Sequence, residues 1–135
     1  MKNVKTIFAS VALILLVSIS AFAGTGAKVI GVVNKAEWCP TCKNNGERAM
    51  TCFMENNKDM AIQFVANDVT NDETKAKSAA ELKKLGLDKA MAELKMTGVV
   101  YFFDADSKKL ITQVNVAKTN EELAETMKLA LNEVK

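Results

Sequence analysis

The chain has 135 residues, with 18 Lys and Arg against 16 Asp and Glu, no His, three Cys and one Pro. At 49% apolar and 25% charged residues it has the composition of an ordinary globular protein, too apolar for disorder and too nearly neutral to carry the basic footprint of a nucleic-acid binder. Without His there is no Ser-His or Cys-His pair, no His-ligated zinc and no imidazole switch, so proton and nucleophile chemistry falls to Cys, carboxylates, Lys or Tyr101.

Residues 1–23 fall into three zones: Lys2 and Lys5, an apolar run from Ile7 to Ile19 broken by Ser10 and Ser18, and Ala21-Phe22-Ala23. This is the order of a cleavable export signal, with a positive start, an apolar centre and an A-x-A cleavage site. The run is shorter than the roughly 20 residues of a transmembrane helix, and small residues follow it in place of a charged flank. Cleavage would remove two lysines and leave residues 24–135, a domain of 112 residues with 16 basic and 16 acidic groups. The expected location is periplasmic or secreted, with no stable membrane insertion after cleavage. A domain of this size buries a core without disulfide staples, so its cysteines are available for chemistry, and export exposes them to oxidising conditions.

Lys28 to Asn34 is a β-branched, apolar run that reads as a buried strand ending just before Trp38. From Cys39 the spacing becomes helical, with Cys42, Gly46, Ala49, Phe53 and Asn56 on one face and Asn56 to Asp59 as the stop. Met60 to Ala66 reads as a second strand and Asn67 to Asp72 as a loop. A helix follows with Ala76, Ala79, Ala80, Leu82 and Leu85 as its apolar stripe, Gly86 as its cap and a short helix starting at Asp88. Val99 to Phe103 and Leu110 to Val116 read as a hairpin, and the capping box Thr119 to Glu122 opens a last helix striped by Leu123, Met127, Ala130, Leu131 and Val134. The order β-α-β-α-β-β-α implies an α/β fold with a mixed sheet and helices on both faces.

Trp38-Cys39-Pro40-Thr41-Cys42-Lys43 puts two thiols three residues apart where the first strand hands over to the first helix. The unpaired N–H groups and dipole of a helix start favour a thiolate, so Cys39 is the expected nucleophile, and Cys42, one turn on, is placed to resolve the mixed disulfide. Pro40 suits the first helical turn, where its missing N–H costs nothing. An inert staple gains little from so short a loop, and a zinc site would need two further ligands that the chain does not supply. A C-x-x-C segment after a strand and opening a helix therefore reads as redox chemistry.

Ala36-Glu37-Trp38-Cys39, Cys42-Lys43 and Thr97-Gly98-Val99 followed by Tyr101-Phe102-Phe103-Asp104 resemble the thioredoxin superfamily, with its A-E-W-C-x-x-C-K segment and T-G-V-P-T strand start. The resemblance implies a thioredoxin-like fold, Cys39 as attacking and Cys42 as resolving thiol, and substrate contact at Trp38, Pro40, Val99 and Val100. Three positions depart from the pattern. The cis-proline falls at Val100, where a cis bond would cost about 2.5–4 kcal/mol, so a trans peptide is expected. The buried acid falls at Val33, leaving no internal proton acceptor there, and the dipeptide between the cysteines is Pro-Thr, which leaves the direction of electron flow open.

Cys52 follows Cys42 by ten residues on the same predicted helix, a rise of about 15 Å, too far for a disulfide, and reads either as a small buried apolar residue or as a free thiol. Met50, Met54, Met60, Met91, Met96 and Met127 read as core filler scattered over several elements, although thioether and thiolate ligands also suit Cu(I). The main reading is an exported thiol-disulfide oxidoreductase with no cofactor beyond a Cys39–Cys42 disulfide and no resident metal. Its partners would be protein or small-molecule disulfides and dithiols and an upstream thiol donor or acceptor. The alternative is a non-catalytic module on the same scaffold, such as a Cu(I) carrier or a docking subunit of a redox or cytochrome-assembly system.

Overall fold

The computed structural model describes residues 26–134; the export-signal reading at residues 1–23 lies outside them. The elements are β1 (Val29–Lys35), α1 (Pro40–Glu55), β2 (Ile62–Asp68), α2 (Asp72–Lys84), α3 (Asp88–Ala92), β3 (Val99–Asp104), β4 (Leu110–Asn115) and α4 (Asn120–Glu133). The sheet order is β2-β1-β3-β4, with β1 parallel to β2, antiparallel to β3, and β3 antiparallel to β4. Because β1 is central, the turn after it emerges in the middle of the sheet edge, and α1 starts there.

Alternation along the strands builds two cores, one on each face. Val29, Ile62, Val100 and Phe102 pack under Ala49, Cys52 and Phe53 of α1 and Leu123, Met127 and Ala130 of α4. Ile30, Val32, Val99, Tyr101 and Phe103 face Leu82 of α2, Leu87 just before α3, and Met91 of α3. Each fully buried side chain of this size contributes about 1.5–3 kcal/mol of transfer free energy. Phe53, Phe64 and Phe102 form an aromatic trio with centroids 5.1 to 6.4 Å apart, and Gly31 leaves the room for it: a Cβ there would lie 2.9 Å from the Phe64 ring.

Helix ends follow their sequence signals. Thr119 and Glu122 form the expected capping box, and Gly86, at φ +73°, closes α2 while the Leu87 N–H reaches the Leu82 carbonyl. Two expectations need correction. β2 runs on to Asp68, and Asn71 with Thr74 caps α2. The alanines of α2 face water; Ser78 turns inward, because its hydroxyl accepts the Asp68 N–H at 2.9 Å and finishes the strand end. Of the methionines, Met91 and Met127 are core, whereas Met54, Met60 and Met96 are exposed.

Candidate active site: the Cys39–Cys42 dithiol

After β1 the chain turns through Ala36, Glu37 and Trp38, with the Cys39 N–H on the Ala36 carbonyl at 3.2 Å. Cys39 is extended, at φ −84° and ψ 114°, and caps α1: its sulfur accepts the Cys42 N–H at 3.3 Å, the position an Asp or Ser oxygen takes at other helix starts. Pro40 occupies the first helical turn and is exposed. The two thiols are thus neighbours on one turn, as the spacing required.

Their electrostatics differ. Burial pushes the Cys39 thiol up, but hydrogen bonds from the Cys42 and Thr97 side chains and the Cys42 and Thr41 peptides outweigh it and hold the thiol below its ordinary value. Cys42 is raised, first by burial and then by sharing its proton with the Cys39 sulfur. Accessibility runs the other way: Cys39 keeps 3% of its surface, whereas Cys42 is half-buried. Charge and access are divided between the two sulfurs.

The turn before β3 forms the wall beside Cys39. Thr97 reaches the sulfur, and Gly98, at φ +76°, lies so close that a Cβ would sit 2.8 Å from Thr41 Cγ2 and 3.7 Å from Cys39 Sγ. Asn34, at the end of β1, holds that turn. Its carbonyl accepts the Gly98 N–H at 2.8 Å, and its buried side chain donates to the Leu94 carbonyl at 2.7 Å while accepting from Asn67 at 2.8 Å. The Cys42 sulfur lies 4.0 Å from the same Asn34 carbonyl.

Trp38 is 58% exposed, and its Nε1 donates to the Thr70 carbonyl at 3.1 Å. Thr70 Oγ1 accepts the Glu37 N–H at 3.0 Å and donates to Asp68 Oδ1 at 2.5 Å; that bond, followed by the Thr70 peptide, keeps the Asp68 carboxyl below its usual range. The indole is therefore tied at its Nε1 edge, next in sequence to Cys39, with more than half of its surface open. Val99 and Val100 are not at this surface. They are 2% and 0% exposed, with their side chains in opposite cores, and the residues abutting the sulfur are Thr97 and Gly98. The displacement arises because the strand begins at Val99, and a strand residue must face one core or the other. The peptide before Val100 is trans.

Asn34 and Thr70 were not singled out by the sequence, and Thr97 and Gly98 entered only through the strand-start motif, with no role given to either residue by itself. A polar Asn closing an otherwise apolar strand is the one local signal that could have marked Asn34. Cys52 is buried, its thiol donating to the Asn120 carbonyl at 3.4 Å, with burial pushing its pKa up. Among the described residues no group of three or more His, Cys, Asp or Glu could hold a metal ion, and no helix is long and apolar enough to cross a membrane.

No protein-family profile matches the chain, and no curated protein matches its sequence. Solved structures do match its fold. A DsbH oxidoreductase superposes with a TM-score of 0.52 at 18% identity, covering 78% of this chain and 74% of that one. A secreted Mycobacterium tuberculosis disulfide oxidoreductase homologous to Escherichia coli DsbE gives 0.50 at 19% identity over 81% and 85%. Trxlp from Edwardsiella tarda gives 0.50 at 15% identity over 81% and 90%. At such identities the likeness is one of fold: the chain has a thioredoxin-like fold.

Proposed function

We propose that this chain is an exported thiol-disulfide oxidoreductase working through Cys39 and Cys42, with no cofactor beyond those sulfurs. The observation that carries the reading is the Cys39 sulfur serving as the cap of α1, 3.3 Å from the Cys42 N–H, with a second thiol one turn away. The fold supports the class, and the Ala21-Phe22-Ala23 segment after an apolar run supports export to the periplasm or beyond.

In the reductive direction the Cys39 thiolate attacks a substrate disulfide, forming a mixed disulfide as one substrate thiolate leaves. Cys42 then gives up its proton and attacks Cys39 Sγ; the second substrate thiolate departs and a Cys39–Cys42 disulfide remains. The substrate loses its S–S bond and gains the two electrons that the protein gives up. Because Cys39 is so little exposed, a protein substrate must press the Thr97–Gly98 turn aside, with the exposed Trp38 as the adjoining surface. Cys42→Ser is expected to accumulate covalent complexes that a reducing agent dissolves, and Cys39→Ser to accumulate none. The reading fails if neither variant traps a partner and the wild type neither reduces insulin nor oxidises a reduced substrate. Cu(I) retention against a strong chelator, dependent on both cysteines and without turnover, would instead favour the carrier.

A further inference from the structure

A cavity of about 570 Å³ opens beside Cys42, and neither Cys39 nor Trp38 is among its walls. It runs between β1, β2 and the inner side of α1, with Val33, Met50, Phe64 and Val116 as apolar lining and Lys35, Lys43 and Glu47 at its edge. Its volume is that of a small-molecule site, and most of its surface is apolar, with Cys42 in the wall beside the polar groups of Asn34, Glu37 and the charged side chains at the edge. Val33 gives the cavity an apolar wall near the end of β1.

Once the Cys39–Cys42 disulfide has formed, as the proposed function requires, it must be reduced by a nucleophile that approaches one sulfur in line with the bond. A molecule in the cavity lies on the Cys42 side of that bond. Attack there expels Cys39, whose anion is held by Thr97 and the peptides of Thr41 and Cys42, and a thiol of lower pKa leaves faster. Attack on Cys39 would expel Cys42, whose anion burial disfavours, and would have to reach a sulfur that has little open surface. Leaving-group order, access and the position of the cavity agree.

We propose that the cavity admits a small dithiol carried on an apolar chain, which reduces the Cys39–Cys42 disulfide by attacking Cys42 Sγ. One ligand thiolate bonds to Cys42 Sγ as the protein S–S bond breaks, and the electron pair goes to Cys39 as thiolate. The second ligand thiol loses its proton and attacks the first ligand sulfur; Cys42 departs and takes a proton. The ligand ends as a cyclic disulfide, oxidised by two electrons, and the protein as a dithiol. Protein disulfides and the small reductant thus use different sulfurs, with Gly98 a wall common to both approaches.

The test uses the oxidised full chain, dihydrolipoamide as the apolar dithiol and dithiothreitol as the polar one. Dihydrolipoamide is expected to reduce the wild type at least about tenfold faster than dithiothreitol, the gain from burying about two methylenes. Hexanethiol, which cannot self-resolve, is expected to leave its adduct on Cys42 in fragment-mapped peptides. Gly46 lines the cavity and a Cβ there meets nothing within 4 Å, so Gly46→Leu fills it; this variant should lose the preference for dihydrolipoamide and keep its rate with dithiothreitol. In the unmodified protein octanamide, which has the chain and no thiol, should slow dihydrolipoamide alone, a readout independent of how the variant folds. An adduct on Cys39, or a preference untouched by both leucine and octanamide, overturns the proposal while insulin turnover with dithiothreitol leaves the oxidoreductase reading standing. If dithiothreitol supports no turnover either, both fall.

Discussion

A single added methyl group at Gly98 would strike Thr41, a residue between the two cysteines. Gly98 sits at φ +76°, and its Cβ would come within 2.8 Å of Thr41 Cγ2, on the same turn as the sulfurs. Gly98→Ala therefore combines left-handed strain with a clash, and is expected to lower stability by about 1–3 kcal/mol. Urea midpoints measure that cost, and an unchanged midpoint would mean that Thr41 moves away freely. The neighbouring Thr97 acts on charge. Its hydroxyl is one of the groups holding Cys39 below the ordinary thiol range, after burial has pushed it up, so Thr97→Val is expected to raise the Cys39 pKa with little loss of stability. Iodoacetamide rates across pH on the Cys42→Ser background report it; an alkylation curve that does not move toward higher pH would remove Thr97 from the account.

In α1, Gly46 interrupts an otherwise regular helix of 16 residues. Open space surrounds the position of its missing Cβ, so Gly46→Ala should stabilise the protein by about 0.5–1 kcal/mol through backbone entropy alone. A thermal melt that falls or stays level would show that the helix needs that gap. Elements of this kind were legible in the sequence because their signals are local: the cap at Thr119, the stop at Gly86, the apolar runs of β1 and β3. The stripe on α2 was not. Ser78, a polar residue, turns inward because its partner is the peptide of Asp68, ten residues away in a strand whose end hydropathy alone does not mark, and the alanines are left to water. The order of the two sulfurs was legible for the same local reason as the caps. Asn34 was not, since it meets the site only after β1 and β3 pair; likeness marked the Thr97-Gly98 strand start, but the side chains of Val99 and Val100, which it named for substrate contact, are turned into the cores by the strand register.

At the scale of the whole molecule the thiolate couples redox state to folding. Cys39 in the folded reduced protein has a pKa below that of an unfolded cysteine, about 8.5, so its ionisation favours the fold. That contribution is fully present above the unfolded value and is lost as pH falls through the folded one. Cys42, raised chiefly by burial, has the opposite sign, but it stays protonated in both states until the pH exceeds the unfolded value. Between the folded Cys39 value and about 8.5, Cys39 alone therefore governs how the difference between reduced wild type and Cys39→Ser changes with pH. That difference in unfolding free energy is expected to grow with pH across this window, the groups common to both proteins cancelling. The oxidised protein, with neither of these thiols to titrate, should show no such rise against the same variant. Stabilising the dithiol state also makes the disulfide a stronger oxidant, so the reduction potential measured against glutathione should be less negative than that of Thr97→Val at the same neutral pH. Urea titrations of the three forms at a series of pH values, with the two potentials beside them, measure one free energy by separate routes. A flat stability difference together with equal potentials would mean that the start of α1 and the Thr97 hydroxyl do not hold an anion at Cys39 in solution.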